Sequence, residues 1–450
     1  MFRDRNSMTE GNFYFPQSLC LSEAFSVNTY LTVIYRKDNG MRSDIFHVNP
    51  HIDPDGTIPS SLFDENGEIC GSSSEITPEL LMKLGFATAK TATRIAVGYS
   101  ECTLCKLLAN AFITGAASSG AQVTEVDASI FAVASYIARS YLFNLTVFIE
   151  NDKSSFRIRM ADRFGLPIGK TTRRQIEGCI RSKKVFRAAL SDIVMPKNIT
   201  GSREVFESSV AKRETDSTFP VSVSGKGIAS QILRNILTLS GYDLAPEHSE
   251  RISLSVSDDG TSLRICDEGG HWYDDGHVDA ILAFVFFSSG ARSLAVRADA
   301  PGILEQIADS FGGKILRIGR DSGANECFLS QNVLCDAFSS AVTLCNFLSE
   351  NDISVREIVG KLPDFTLISK EVNLAGNISR ILSKIANAED GLFKESIASL
   401  RVCTDGGWVN IRPSRMRGAL HITGEGANEE IASELCNLFV ERARELDNES

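Results

Sequence analysis

The stretch LSVSDDGTSLRICDEG, residues 254–269, decides how the rest of the chain is read. Leu254 and Val256 alternate with serines, as on a strand with one buried face. A turn of short oxygen-bearing side chains follows, through Ser257, Asp259, Thr261 and Ser262, with Gly260 inside it. Leu263 and Ile265 restart the alternation and lead to Asp267-Glu268-Gly269. Two strands joined by an acidic turn have the outline of a loop for a hard dication, which prefers several anionic oxygens. Asp259 is the carboxylate in position; Asp258 points elsewhere if the strand alternation runs on.

Outward from this loop, the chain is long enough for several domains. It has 450 residues, 43% of them hydrophobic and 23% charged, and no stretch polar enough to suggest disorder. The net charge of -11 argues against a general nucleic-acid footprint. The longest apolar run, Ala280–Phe287, is far too short for a membrane span. The segment after Met1 shows no apolar core of a secretory leader, so a soluble, cytoplasmic protein is expected. Eleven scattered cysteines fit free thiols in a reducing compartment better than a disulfide framework. Cys102-Thr103-Leu104-Cys105 has CxxC spacing; without a second ligand pair or a redox context, it reads as small residues in the first turn of a helix.

From residue 60 onward, strands and helices alternate. Thr77 and Pro78 start a helix that runs to about Lys90, and Arg94–Gly98 is a strand. Leu104–Ser119, Ala128–Ser140, Ile228–Ser240, Gly302–Phe311 and Ala337–Leu348 are helices. Val123–Val126, Thr146–Ile149, Phe219–Val223, Leu294–Ala298 and Lys314–Ile318 are strands between them. This alternation points to helices on both faces of largely parallel sheets. The last stretch differs: strands near Val402, at Trp408–Ile411 and at Ala419–Ile422 precede a helix over 428–446, with Ile431, Leu435, Leu438 and Phe439 as its apolar stripe. Residues 1–59 read as an extension with a strand pair at Ala24–Tyr35 and Ile45–Val48; His47 and His51 read as plain surface residues.

Several phrases, in order, carry a family resemblance. They are Leu62–Gly71 with Ile76-Thr77-Pro78-Glu79, Val97-Gly98 and Gly115–Val123, the 254–269 loop, Leu362-Pro363-Asp364-Phe365, and Trp408–Ser414. Together they resemble the α-D-phosphohexomutases, the phosphoglucomutase/phosphomannomutase family. The resemblance implies an α/β protein of four domains: three with mixed sheets and a C-terminal α+β domain. The boundaries follow as 1–59 for the extension, 60–200, 201–292, 293–370 and 371–450. In that family a phosphoserine of domain one passes its phosphoryl group to a sugar phosphate, magnesium sits on the domain-two loop, domain three reads the sugar and domain four clamps the phosphate. Such transfer depends on positioning and charge neutralisation.

Carried over position by position, the family's parts thin out. Its Asp-x-Asp-x-Asp-Arg loop maps onto Ser257, Asp259, Thr261 and Ser262, so Asp259 is the one metal-ligand carboxylate left and the site is expected to be unoccupied. The nucleophile serine maps onto Asp152 and its basic neighbour onto Lys153, with Ser154 and Ser155 close by. Asp152 reads either as an imitation of the phosphoserine charge or as a solvated turn residue. The family's Gly-Glu-x-Ser-Gly-His sugar loop is missing from Asp321–Cys335, where the nearest acid is Glu326. Its Asp-x-Arg after the second strand becomes Ser100-Glu101-Cys102, and Cys70 stands for another arginine. In domain four, Arg412, Ser414, Arg415 and Arg417 could clamp an anion, since guanidinium forks suit phosphate, or form a solvated basic turn. Ser224-Gly225-Lys226-Gly227 precedes a helix but lacks Walker spacing, and reads as a tight turn.

The expectation is therefore a catalytically degenerate phosphohexomutase relative with a binding or regulatory role. It would have residual affinity for a sugar phosphate, partner a protein such as an active mutase, touch neither nucleic acid nor membrane, and need no cofactor. The alternative is an active intramolecular phosphotransferase, or a phosphatase, in carbohydrate metabolism. There Asp152 would be the nucleophile, Lys153 its helper and Asp259 a ligand of Mg2+. A third reading makes residues 1–59 an interface for a protein partner.

Overall fold

A computed structural model describes residues 62–64, 67–152, 155–182, 187–211, 220–245, 252–388, 392–396, 399–404, 406–414 and 418–448. The expected strand pair of the extension, with His47 and His51, lies outside them.

The described residues form four sheets. The first is built from β1 (Ile69–Ser72), α1 (Pro78–Thr88), β2 (Arg94–Tyr99), α2 (Thr103–Ser118), β3 (Gln122–Val126), α3 (Phe131–Ser140), β4 (Leu145–Asp152), β5 (Ser155–Asp162), α4 (Lys170–Arg181) and β6 (Lys197–Ile199). Its strand order is β1-β5-β4-β2-β3-β6. β4, β2, β3 and β6 run parallel, and β5 returns antiparallel between β4 and β1. Thr77 caps α1, its side chain accepting the Leu80 N–H, with Pro78 in the first turn. Ile95, Val97, Val147 and Ile149 enter the core on one face, against α1 and α2. Ala96 and Phe148 enter the core on the other. The runs are continuously apolar because both faces are covered.

The second sheet, in the order β10-β9-β7-β8, follows α5 (Ser202–Val210) and contains β7 (Pro220–Ser224), α6 (Ile228–Leu239), β8 (Asp243–Leu244), β9 (Ser253–Val256) and β10 (Leu263–Cys266). α7 (Asp275–Ser288) follows, and its wholly apolar middle is explained by burial: Ala280, Ile281, Leu282, Ala283 and Val285 have essentially no exposed surface. The third sheet has two parallel strands, β11 (Ser293–Val296) and β12 (Lys314–Arg317), with α8 (Ile303–Ser310) between them. α9 (Ala324–Ser330), α10 (Ala337–Asn351) and α11 (Val355–Val359) complete this part. One continuous core joins the inner face of the first sheet to the second and third.

The fourth sheet is antiparallel, in the order β13-β17-β16-β15-β14, from β13 (Thr366–Asn373) through β14 (Leu392–Ser396), β15 (Ser399–Thr404), β16 (Gly407–Pro413) and β17 (Ala419–Gly426). α12 (Ile378–Ala388) precedes β14, and α13 (Glu429–Asn448) ends the described chain. Of the expected stripe on α13, Phe439 is buried and Ile431 and Leu435 are half-buried, but the expectation for Leu438 is corrected. Leu438 is exposed, and the buried line is Ala432, Cys436, Phe439, Val440, Ala443 and Leu446. Among the described residues no helix is long and apolar enough to cross a membrane.

Candidate functional site

The 254–269 loop folds as β9, a turn and β10, with Leu263 opposite Val256 and Ile265 opposite Leu254. The turn is wedged between two helix N-termini. The Asp259 carbonyl accepts the Ala132 N–H at the start of α3, and the Gly260 carbonyl accepts the Ala337 N–H at the start of α10. Gly260 has φ +77, and a Cβ there would stand 2.6 Å from the Phe338 ring and 2.9 Å from the Ala132 Cβ. Glycine is needed both for the left-handed backbone and for this close approach.

The Asp259 carboxylate is engaged at both oxygens. Oδ1 accepts the Ser257 hydroxyl at 2.5 Å, the Thr261 N–H at 3.0 Å and the Thr261 hydroxyl at 2.8 Å. Oδ2 meets Arg159 Nη1 at 2.7 Å. Burial disfavours the charge, but Arg159 and the three donors outweigh it and hold the carboxyl down to about 2. Asp258 is exposed; a Cβ on Gly227 would lie 3.3 Å from its carboxylate, so an acid already faces the N-terminus of α6.

Arg159 comes from β5, opposite Phe148 of β4, and its guanidinium lies over the Phe131 ring, 5.2 Å from the centroid. It belongs to a ladder of alternating charge. Arg159 also approaches Glu68 at 3.3 Å and Glu150 at 3.1 Å, and Arg157 approaches the same two acids at 3.5 Å and 3.3 Å. Burial pushes the Glu150 carboxyl up against the pull of Arg159 and Arg157. Sequence reading missed this ladder. Phe156-Arg157-Ile158-Arg159-Met160 is a plain alternation, and only its place beside the acidic turn gives Arg159 a role.

The strands that carry Asp152 form a tight hairpin in which Asp152 pairs with Ser155 across a two-residue connection. Lys153 and Ser154, in that connection, lie outside the described residues. The hairpin end and Asp259 are thus on the two elements that Arg159 ties together.

In the third sheet, the chain between Asp321 and Cys335 forms α9, with Glu326 exposed on it. Behind it Gln331 repairs an open strand edge: its Oε1 accepts the Ala295 N–H and its Nε2 donates to the Ala295 carbonyl, each at 2.9 Å. The loop after β11 is held by Arg317, which is 2% exposed, forks onto Glu305 at 2.7 and 2.9 Å and donates to the carbonyls of Ala298 and Ala300.

In the fourth sheet, Arg412, next to the last residue of β16, lies opposite His421, and Ser414 is buried. The Ser414 hydroxyl donates to Glu371 Oε1 at 2.7 Å, and its N–H donates to the Ala419 carbonyl at 2.8 Å. Glu371 also lies 3.9 Å from His421 Nδ1. Burial, with Arg412 beside it, lowers the His421 pKa. Arg415 and Arg417 lie outside the described residues. Arg412 and Ser414 are therefore brought together on one turn, with a carboxylate as neighbour, while Asp259 stands on a different sheet.

Residues 62–186 match the family model described as phosphoglucomutase/phosphomannomutase, alpha/beta/alpha domain I. The chain is 22% identical over 444 residues to a phosphoglucosamine mutase of Caldanaerobacter subterraneus subsp. tengcongensis, covering 84% of this chain and 98% of that one. It is 18% identical over 419 residues to a phosphoglucosamine mutase of Methanococcus maripaludis, covering 80% and 94%. These matches support the α-D-phosphohexomutase superfamily as the family that this chain is similar to. Its fold matches that of a phosphoglucomutase/phosphomannomutase family protein from Burkholderia thailandensis with a TM-score of 0.65, at 14% identity, over 84% of this chain and 96% of that one.

The phosphohexomutase fold raises the question of magnesium at the β9–β10 turn. A dication there needs several oxygens, preferably anionic. The turn supplies one carboxylate, with hydroxyls of Ser257 and Thr261 turned onto it as donors and a guanidinium on its other oxygen. This donor set does not fit magnesium. Asp64, Glu68 and Cys70, whose ligand atoms lie within 4.8 Å of one another, sit beside Arg157, whose charge counters theirs.

Proposed function

We propose that this phosphohexomutase-fold chain does not catalyse mutase chemistry and acts as a binding or regulatory protein. The observation that carries the reading is the Arg159–Asp259 contact at 2.7 Å. A fixed internal cation stands where a transferase would need an exchangeable one, and the carboxylate that would ligate it is fully hydrogen-bonded. Charge neutralisation of a moving phosphoryl group is the main service such a site renders. The use of 321–335 for the short helix α9 and for Gln331, which pairs with the β11 edge, supports the same reading, since it leaves little chain for a sugar-reading loop.

The ligand this reading favours is a sugar phosphate held by the basic segment that carries Arg412, Ser414, Arg415 and Arg417. Glu371 beside Ser414 would repel the anion and weaken that affinity. A protein partner, such as an active mutase, fits a regulatory role equally. The test is a coupled mutase assay with glucose, mannose and glucosamine phosphates, magnesium and a bisphosphate activator. No turnover is expected; a rate around 10 per second, ordinary for enzymes, would sink the proposal. A thermal-shift screen with the same sugar phosphates checks the binding role, because a ligand of the native state raises the melting temperature by mass action.

A further inference from the structure

Cys102 and Cys105 have CxxC spacing, and the structure places the two thiols in unlike settings. Cys102 is the N-cap residue of α2, in extended conformation, with its carbonyl accepting the Lys106 N–H at 3.0 Å. Its sulfur is half-exposed beside the Asn151 side-chain amide at 4.0 Å. Cys105, one turn on, has no exposed surface, packs in the core of the first sheet and accepts the Ser100 hydroxyl at 3.4 Å. Helix geometry puts the two Cα atoms roughly 5 Å apart, within the range that a disulfide spans.

The first N–H groups of a helix lack intrahelical partners. Here those of Cys105 and Leu104 act on the Cys102 sulfur. Together with the Cys105 thiol and the Asn151 amide they hold the Cys102 thiol below its ordinary range, against the opposing effect of burial. Burial pushes the Cys105 thiol up to about 12. A partly exposed thiol at a helix N-terminus, followed one turn later by a buried one, is the arrangement thiol–disulfide exchange requires.

We propose that Cys102 and Cys105 are a redox-active dithiol that exchanges with small-molecule disulfides. The Cys102 thiolate attacks one sulfur of a disulfide RSSR, the S–S bond breaks, and RS⁻ leaves and takes a proton from water. Cys105 then releases its proton to water, its sulfur attacks Cys102 Sγ in the mixed disulfide, and the second RS⁻ leaves and is protonated. One external disulfide is reduced to two thiols, and the Cys102–Cys105 bond is the oxidised product. The pair lies after β2, beside Asn151 near the end of β4, and the inference stands independently of the proposed function.

The test uses the full native chain equilibrated in glutathione buffers of graded ratio, quenched with acid, alkylated and digested with trypsin. Cleavage after Arg94 and Lys106 leaves both cysteines, and no other, on the peptide Ile95–Lys106. In oxidised buffer this peptide is expected unalkylated and lighter by two hydrogens; in reduced buffer it is expected doubly alkylated. Cys105→Ser is expected to stop at Cys102 carrying one glutathione. With limiting iodoacetamide near pH 6.5, Cys102 of the native wild-type chain should label at least about tenfold faster than the exposed Cys70 and Cys403, and the gap should close in urea. Double alkylation that persists in excess oxidised glutathione, or labelling of native Cys102 no faster than Cys403, overturns the proposal.

Discussion

Asp259 stays ionised far below neutrality because Arg159 and three short hydrogen bonds favour its charge. Arg159 and Asp259 are both largely buried, so removing one partner leaves the other charge poorly solvated. Arg159→Met should therefore destabilise the protein by about 2–4 kcal/mol, read from urea unfolding. The pH dependence follows from the sign of the shift. The folded pKa lies below the unfolded one, so the bridge contributes fully above about pH 4 and is lost as pH falls toward 2. Arg159→Met should flatten that acid limb of the stability curve. Adding magnesium or a chelator should leave the wild-type melting temperature unchanged; a rise with millimolar magnesium would contradict the internal-cation reading. At this scale the sequence displayed Asp259 and the thinning of its neighbours. It hid Arg159, because an arginine at an alternating strand position is ordinary until the strand is known to face the acidic turn.

Among the elements, the α1–α2 contact is the most exacting. A Cβ at Gly85 would stand 2.3 Å from the Phe112 carbonyl oxygen, and one at Gly115 would stand 2.2 Å from that of Met82. The two helices touch backbone to backbone, so Gly115→Ala must push them apart, at a cost of about 1–3 kcal/mol. Gly178→Ala in α4, where a Cβ meets nothing within 4 Å, should instead be neutral or slightly stabilising, and comparing the two by thermal denaturation separates crowding from helix propensity. Most helices and strands were legible in the sequence because their apolar periodicity matches their burial. α4, α5, α7, α9, α11 and α12 were not read as helices; α4, for one, buries only Ile176 and Ile180 among polar residues, too weak a stripe to stand out. The strand β4 runs three residues past its apolar stretch, to Asp152, because hairpin pairing with β5, rather than hydrophobicity, sets its end.

Across the whole molecule, the second and third sheets meet around a cavity of about 70 Å³ lined by Asp275, Asp279, Arg297 and Asp336 among others. Burial raises the Asp279 carboxyl to about 6; Arg297 opposes this, while Asp299, Asp275 and Asp274 add to it. The unfolded chain releases this proton near pH 3.9, and the folded chain keeps it to about 6. Stability should therefore decline as pH rises through that interval, by about 3 kcal/mol, and then level off. Asp279→Asn should abolish the decline and be the more stable protein at pH 7, as measured by urea unfolding at pH 4, 5, 6 and 7. The sequence by itself determined the α/β class, the order of the family phrases and the presence of one carboxylate at the metal turn, since these are local matters of periodicity, turn chemistry and residue identity. Tertiary structure alone decided that this carboxylate faces Arg159, that α9 and Gln331 close a strand edge, and that the CxxC thiols differ. Each depends on which groups are brought together and how far water is excluded from them, quantities that no spacing along the chain encodes.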